Sequence, residues 1–254
     1  PHMDMYDMKP NASIDYRGAF HPIRTNVPGM DVCELMPRHA AIADKYNIIR
    51  SVAHQFADHG GGHKRMMTGR VPATPVDTVN DAPATGSIVA KCREGRDYGI
   101  PNYVSMNPGG RTNDVFAQGA AYLGQSYMPF NVEGDPSLPT FSVPNIAPSD
   151  AVIARVNDRM SLLKGLDRID RNIDGMRMVE SMDRFQERAV GMLTSDRAKK
   201  AFDLSLESPQ VRDRYGRHCW GQRALMARRL VEAGVSFVTV IMENPYQSGV
   251  QFLK

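Results

Sequence analysis

The sequence predicts an α/β protein with a mainly parallel sheet that is covered by helices. Two apolar, β-branched runs carry this prediction, residues 47–54 (NIIRSVAH) and 235–243 (VSFVTVIME), and each follows a helical pattern. The second run is almost continuously apolar, as expected of a strand with both faces covered. Alternating helices and strands favour crossover connections, which make neighbouring strands parallel.

Composition and charge exclude several classes of protein. No apolar run reaches the roughly 18 residues that a transmembrane helix needs. A net charge of +3 over 254 residues gives no reason to expect a nucleic-acid partner. The three cysteines are far apart and lack metal-binding spacing, so we expect free thiols.

The first half of the chain is predicted to alternate between turns and short elements. Residues 1–32 are rich in proline and glycine, residues 33–46 have helical spacing, and residues 47–54 have strand character. A short helix, HKRMMTG, is expected to follow the glycines and to end at Gly69.

The second half is predicted to be mostly helical. A helix over residues 81–94, with Asp81 as a possible N-cap, precedes a short strand at 101–106. Residues 107–149 are predicted to be irregular, with one helical turn near residue 120. Helices are expected at 175–193, 196–206 and 217–233, with Ser195 capping the second and Gly234 ending the third.

The segment DHGGGHKRMMTGR, residues 58–70, is the clearest candidate for a reactive centre. It leaves the carboxyl end of the predicted strand 47–54, where ligands of α/β sheets bind. Gly60, Gly61 and Gly62 would let the backbone approach a tetrahedral anion at the start of the helix. His63 with the neighbouring basic pair Lys64–Arg65 would add donors and charge. A tight turn that leads into a basic, exposed helix is the competing interpretation.

The same segment resembles the sulfatase motif. Sulfatases carry Cys-x-Pro-Ser-Arg, four residues and then Thr-Gly-Arg, and this chain has His59-Gly-Gly-Gly-His63, four residues and then Thr68-Gly-Arg70. Over essentially all 254 residues the chain is similar to the bacterial family 1501 of domains of unknown function, in the alkaline-phosphatase-like, sulfatase-like superfamily. The segments that carry this resemblance are PHMDMYDMKP, DHGGGHKRMMTGR, VNDAPATGSIVAK, GAAYLG, MSLLKGLD, AFDLSLE and DRYGRHCWGQRALMARRLVEAGVSFVTV.

The resemblance implies a fold and a chemistry. It implies one alkaline-phosphatase-like sandwich over residues 1–254, with a helical segment at 150–234. The implied activity is metal-dependent hydrolysis of sulfate or phosphate esters, with a divalent ion (zinc, calcium or manganese) as cofactor. The substrate would be a small anionic ester or a sulfated or phosphorylated glycan.

The resemblance also assigns roles to residues. His2 and Asp4 lie where the superfamily places its first metal-binding acid, although an exposed polar turn would explain them as well. His59 occupies the nucleophile position and could be a metal ligand, a nucleophile or a general acid. His63 matches the arginine of the sulfatase motif, and His59 and His63 are therefore the candidate catalytic residues.

Two expectations follow from how the sequence differs from the sulfatase pattern. Because His59 replaces the usual Cys or Ser, a non-catalytic module that binds an anionic glycan or a protein partner is the alternative function. The chain is expected to be a fragment, with further metal ligands beyond Lys254. Export to the periplasm or cell surface is expected from the family alone.

Overall fold

The computed structural model describes residues 5–74, 81–96, 99–107, 119–144, 146, 154–155, 158, 161–162, 191 and 195–242, with the backbone alone at residues 59 and 107. The chain forms two compact units, Pro1–Gln55 and Phe56–Lys254. Of the helix predicted at 175–193, only residue 191, which is helical, belongs to the described residues.

The first unit contains a small antiparallel hairpin followed by short helical turns. Strands β1 (Pro22–Arg24) and β2 (Asp31–Cys33) pair with each other, and helix α1 (Pro37–Ala40) and a 3-10 helix at Ala43–Lys45 come next. The helix predicted over 33–46 is therefore wrong in extent. Cys33 belongs to β2, and Pro37, which lacks an N–H, is suited to the first turn of a helix.

The strand predicted at residues 47–54 is also wrong. Its backbone pairs with no other strand in the part of the chain that the structure describes. Ile49 and Val52 keep 72% and 59% of their surface exposed, so the run is not buried in a core. β-branched residues favour an extended backbone, but an extended segment becomes part of a sheet only when it is buried and pairs with a neighbouring strand.

The second unit opens with helix α2 (His59–Thr68), which begins four residues earlier than predicted. The glycines lie inside its first turns, because the Asp58 side chain caps the helix by accepting a hydrogen bond from Gly61 N at 2.7 Å. The predicted end at Gly69 is confirmed: Gly69 has a left-handed backbone with φ of 68°.

Helix α3 (Thr85–Cys92) begins later than the sequence predicts. Asp81 does not cap it, since its carboxylate instead accepts a hydrogen bond from the backbone N–H of Ala73. Pro83 explains the late start, because a residue that precedes proline is disfavoured in the helical conformation.

Three parallel strands form the sheet of the second unit. These are β3 (Tyr103–Asn107), β4 (Phe130–Glu133) and β5 (Phe237–Val240), in the order β4-β3-β5. The strands predicted at 101–106 and 235–243 and their parallel arrangement are confirmed. Strand β4 lies in the region predicted to be irregular, where four residues were too short a pattern to indicate a strand.

Helices cover both faces of this sheet. The other α-helices with defined bounds are α4 (Asp196–Phe202), α5 (Pro209–Tyr215) and α6 (Cys219–Glu232). Short 3-10 helices lie at Ala121–Leu123, where one helical turn was predicted, at Gln125–Tyr127 and at Leu204–Leu206. Val104 and Met106 of β3 are fully buried in a core that also contains side chains of α4 and α6. Tyr103, on the opposite face, packs in a second cluster with Ala90 of α3. The unit is therefore a mixed α/β structure with helices on both faces of a small parallel sheet.

The helix predicted at 217–233 agrees closely with α6, whereas the one predicted at 196–206 ends at Phe202, and α5 was not predicted. Ser195 caps α4 as predicted, since its hydroxyl accepts a hydrogen bond from Ala198 N at 3.2 Å. Helix α6 ends with Ala233 as its C-cap, and Gly234 follows with φ of 103°. Among the described residues, no helix has the length and apolar character that crossing a membrane requires.

The carboxylate of Glu207 joins the 3-10 helix to α6. It accepts hydrogen bonds from Arg228 Nη2 at 2.5 Å and from Arg229 Nη1 at 2.7 Å, and its side chain is only 12% exposed. These bonds, that of Arg228 first, hold the pKa of Glu207 below its ordinary value. A lowered pKa in the folded state stabilises the fold above the unfolded pKa of about 4.3, and the stabilisation disappears as the pH falls through the folded pKa.

We therefore expect Glu207→Gln to lower the free energy of unfolding at pH 7 by roughly 1–3 kcal/mol. As the pH falls from about 4 through the lower pKa of folded Glu207, the difference from wild type should shrink, because protonation removes the charge that the two arginines bind. Urea unfolding at pH 7 and pH 3 measures both values. Glu232→Gln is the control, since this side chain is 63% exposed and 3.4 Å from Arg228 Nε. Equal losses in the two variants at pH 7 would contradict the prediction.

Candidate functional site

The start of α2 is closely packed and already carries a negative charge. The Asp58 carboxylate binds Gly61 N, and Gly62 N donates to Asp58 O at 3.2 Å. A Cβ atom at Gly61 would lie 2.8 Å from the Phe56 ring and 3.0 Å from Asp58 Oδ2. Glycine at this position therefore allows the helix to approach Phe56 and its own cap. An anion bound here would be next to the Asp58 carboxylate.

Two of the three basic residues expected at the anion contact carbonyl groups of the chain. Lys64 is fully buried and its Nζ donates to Thr74 O at 2.8 Å. Arg65 Nη1 donates to Gly69 O at 2.6 Å. His63 is half-buried on the same helix. The structure thus brings the predicted residues onto one helix, and it uses Lys64 and Arg65 to hold the turn that follows.

The Thr-Gly-Arg part of the motif forms the end of α2. The Thr68 hydroxyl donates to Lys64 O at 2.6 Å and accepts a hydrogen bond from Arg70 N at 3.1 Å. Together with the left-handed Gly69, these bonds satisfy groups that a helix end leaves open. The spacing of the sulfatase-like motif therefore coincides with one complete short helix.

The expected metal ligands fall on parts of the chain that the structure does not describe. His2 and Asp4 lie outside the described residues, and so does the side chain of His59. Within the described residues, no group of three or more His, Cys, Asp or Glu side chains could hold a metal ion. The described part of the chain does not by itself supply the donor set that the predicted cofactor needs.

The first turns of α3 and α6, on opposite faces of the parallel sheet, point towards its carboxyl edge. Asn102, just before β3, accepts backbone hydrogen bonds from Ser236 and donates from its side chain to Arg93 O. The C-terminal ends of α3 and α6 therefore meet the amino end of the sheet. Both helices run antiparallel to the strands, and their first turns point towards the carboxyl edge, where α/β proteins bind ligands.

Arg223 of α6 is the buried cation at this edge. It is 2% exposed, and its guanidinium donates to Gly134 O at 2.7 Å and to Ile241 O at 3.1 Å. Gly134 directly follows β4 and Ile241 directly follows β5. One side chain therefore connects the ends of both outer strands of this sheet. The sequence analysis missed Arg223, although its position on the buried stripe of α6 is a signal, since an arginine there must find partners.

The environment of Cys219 excludes an activated thiol in this structure. Cys219 lies one turn before Arg223 and is 3% exposed. Burial raises the pKa of Cys219 to about 11, with Asp135 adding to the rise and Arg223 opposing it. The thiol therefore stays protonated near neutral pH, and a thiolate is the form that reacts. His218 does not activate it, since His218 Nδ1 accepts a hydrogen bond from Gly221 N at 3.2 Å as the cap of α6.

Comparison with known proteins identifies the family of the chain. No curated protein and no solved structure matches the chain. The model of the family described as "Protein of unknown function (DUF1501)" matches residues 1–245. Because this match covers nearly the whole sequence, the chain belongs to that family.

Proposed function

We propose that the protein is a metal-dependent hydrolase of sulfate or phosphate esters, built on an alkaline-phosphatase-like, sulfatase-like sandwich. The observation that carries the proposal is the parallel sheet β4-β3-β5 with helices on both faces. Its carboxyl edge gathers the first turns of α3 and α6 and the buried guanidinium of Arg223. Ligands of such sheets bind at this edge, and helix starts suit an anionic ester.

The proposed chemistry divides between a metal ion and side chains of the chain. His2, Asp4 and His59 are the candidate ligands, and a divalent ion of zinc, calcium or manganese would polarise the ester and activate the attacking group. His63 would donate a hydrogen bond to the developing charge. The proposed substrates are small anionic esters or sulfated or phosphorylated glycans, and the periplasm or cell surface is the proposed location.

A second candidate is a non-catalytic module that binds an anionic glycan or a protein partner. Two contacts favour it: the Asp58 carboxylate occupies the start of α2, and Lys64 is held on the carbonyl of Thr74. Both groups therefore serve the local fold of the segment that resembles the sulfatase motif. In such a module no metal is needed, and the anion would bind at the carboxyl edge of the sheet, away from the start of α2.

Metal content and ester hydrolysis distinguish the two candidates. We expect the purified full-length protein to contain stoichiometric divalent metal and to hydrolyse 4-nitrophenyl phosphate or 4-nitrophenyl sulfate. The double variant Asp4→Ala with His59→Ala should lose the metal. Its rate of hydrolysis should fall by a factor on the order of 100 or more, as expected when a metal site is disrupted.

The matched control is Asp15→Ala with His21→Ala, which changes an exposed aspartate and an exposed histidine outside the candidate site. It should keep both metal and rate. Folded wild-type protein without metal and without hydrolysis of either ester would exclude the hydrolase and favour the binding module.

A further inference from the structure

Helix α3 begins without the cap that the other long helices have. Asp58 caps α2 and His218 caps α6 through their side chains, whereas Ala84, at the N-cap of α3, has no side chain that can accept a hydrogen bond. The first N–H groups of a helix have no partners within the helix. Those of Thr85 and Gly86 therefore depend on groups outside α3.

Ser87 provides a second, independent sign of a ligand at this helix start. The residue is fully buried, and its hydroxyl oxygen has no hydrogen-bond partner among the residues that the structure describes. Buried polar groups in proteins almost always have a partner. Ser87 is the third residue of α3, and because helical side chains lean towards the N-terminus we expect this hydroxyl to face the uncapped turn.

The turn also lies against a part of the sheet that carries hydroxyl groups. A Cβ atom at Gly86 would lie 2.5 Å from Cε2 of the Tyr103 ring, so only glycine allows this approach. The Tyr103 hydroxyl is 3.2 Å from Thr239 Oγ1. Ser105, fully buried, is paired in register with Thr239 and shares the α3 face with Tyr103 because side chains alternate along a strand. The start of α3 therefore packs against the Tyr103 ring, on the face of the sheet that carries the hydroxyl groups of Tyr103, Ser105 and Thr239.

We propose that the first turn of α3 and the Ser87 hydroxyl bind the phosphate or sulfate group of the ester, an inference that rests on the function proposed above. The N–H groups of Thr85 and Gly86 and the hydroxyl of Ser87 donate hydrogen bonds to the oxygens of the tetrahedral anion. The positive end of the helix dipole adds to the attraction. This places the anion at α3 rather than at α2, whose start is next to the Asp58 carboxylate.

Titration with inorganic phosphate and, separately, with inorganic sulfate tests the site. Calorimetry in the presence of a chelator removes any contribution of a bound metal. We expect one anion to bind to the wild type, and Ser87→Ala to weaken binding about tenfold, the effect of one hydrogen bond to a charged group. Ser87→Ala should fold, because the hydroxyl that it removes has no partner in the described protein. The tighter of the two anions indicates whether phosphate or sulfate esters are the substrates.

Two further variants complete the test. Ser236→Ala is the matched control, because the Ser236 hydroxyl donates to Asn102 Oδ1 at the amino end of the sheet. This variant should bind the anion as tightly as the wild type. Ala84→Asp should abolish anion binding by placing a carboxylate on the same N–H groups. The proposed site is excluded if neither anion binds the wild type, if Ser87→Ala binds as tightly as the wild type, or if Ala84→Asp still binds.

The test is independent of whether the protein is a hydrolase. Anion binding that depends on Ser87, in a protein that hydrolyses neither ester, would support the site and exclude the enzyme. Ester hydrolysis with an unchanged KM in Ser87→Ala would support the enzyme and exclude the site.

Discussion

Replacing Gly221 with alanine is expected to lower the free energy of unfolding by roughly 2–4 kcal/mol, more than a typical single substitution. Gly221 lies in the first turn of α6, where the helix crosses the end of α5. A Cβ atom there would lie 2.5 Å from Gly216 O and still closer to Tyr215 O. Both obstacles are backbone atoms, so the contact can be relieved only by moving one helix relative to the other.

The side chain of Gln222 makes such a movement costly. Its amide nitrogen donates to Arg212 O at 3.1 Å and to Gly216 O at 2.8 Å, and its oxygen accepts from Arg212 Nε at 2.8 Å. Displacing α6 would break this fully buried network, and its groups would lose their partners.

Chemical denaturation of Gly221→Ala and Gly191→Ala provides the comparison. Gly191 is helical, and a Cβ atom there would meet none of the described residues within 4 Å, so its replacement should be neutral or slightly stabilising through helix propensity. A Gly221→Ala variant that is as stable as the wild type would mean that the two helices are not held as closely as the structure has them.

The sequence predicted those elements whose signal is local. The apolar run of β5 and the capping serine of α4 are recognisable within a few residues, and both are confirmed. The run at residues 47–54 has the same composition as a strand, but composition alone does not supply a neighbouring strand or a buried face. Strand β4 was missed for the opposite reason, because the pairing with β3 makes a strand of four residues that have little pattern of their own.

The candidate site was predictable only in part. The glycine segment was found because its spacing lies within one stretch of sequence, yet its structure is a capped helix rather than a turn before one. The partners of Lys64 and Arg65 could not be predicted, because the sequence pattern is the same whether a basic side chain binds backbone carbonyls or faces solvent. Arg223 was missed because its partners, Gly134 and Ile241, are 89 and 18 positions away in the sequence.

Arg223→Met is the second substitution for which we expect a large effect, a loss of roughly 2–4 kcal/mol in the free energy of unfolding. Methionine fills much of the space of the side chain but donates no hydrogen bond. The carbonyls of Gly134 and Ile241 would then lose the donor that connects the ends of β4 and β5. Burial lowers the pKa of Arg223, so part of the loss is offset because the cation no longer has to be buried.

Two controls separate the hydrogen bonds of Arg223 from its charge and its volume. Arg223→Lys keeps the charge, but its single ammonium group cannot reach both carbonyls as the forked guanidinium does. This variant should therefore recover less than half of the lost free energy of unfolding. Arg217→Met removes an exposed arginine that binds Asp213 at 2.6 Å one turn away, and it should cost no more than about 0.5 kcal/mol.

The pKa of the Cys219 thiol provides a second measurement of the effect of Arg223→Met, independent of the free energy of unfolding. The charge of Arg223 lowers the pKa of this thiol against the effect of burial, so Arg223→Met should raise it further. Ultraviolet titration of the thiolate in the folded variant measures the shift. If Arg223→Met unfolds like the wild type and leaves the titration of Cys219 unchanged, the guanidinium does not connect the two strand ends, and the carboxyl edge must be held by other contacts.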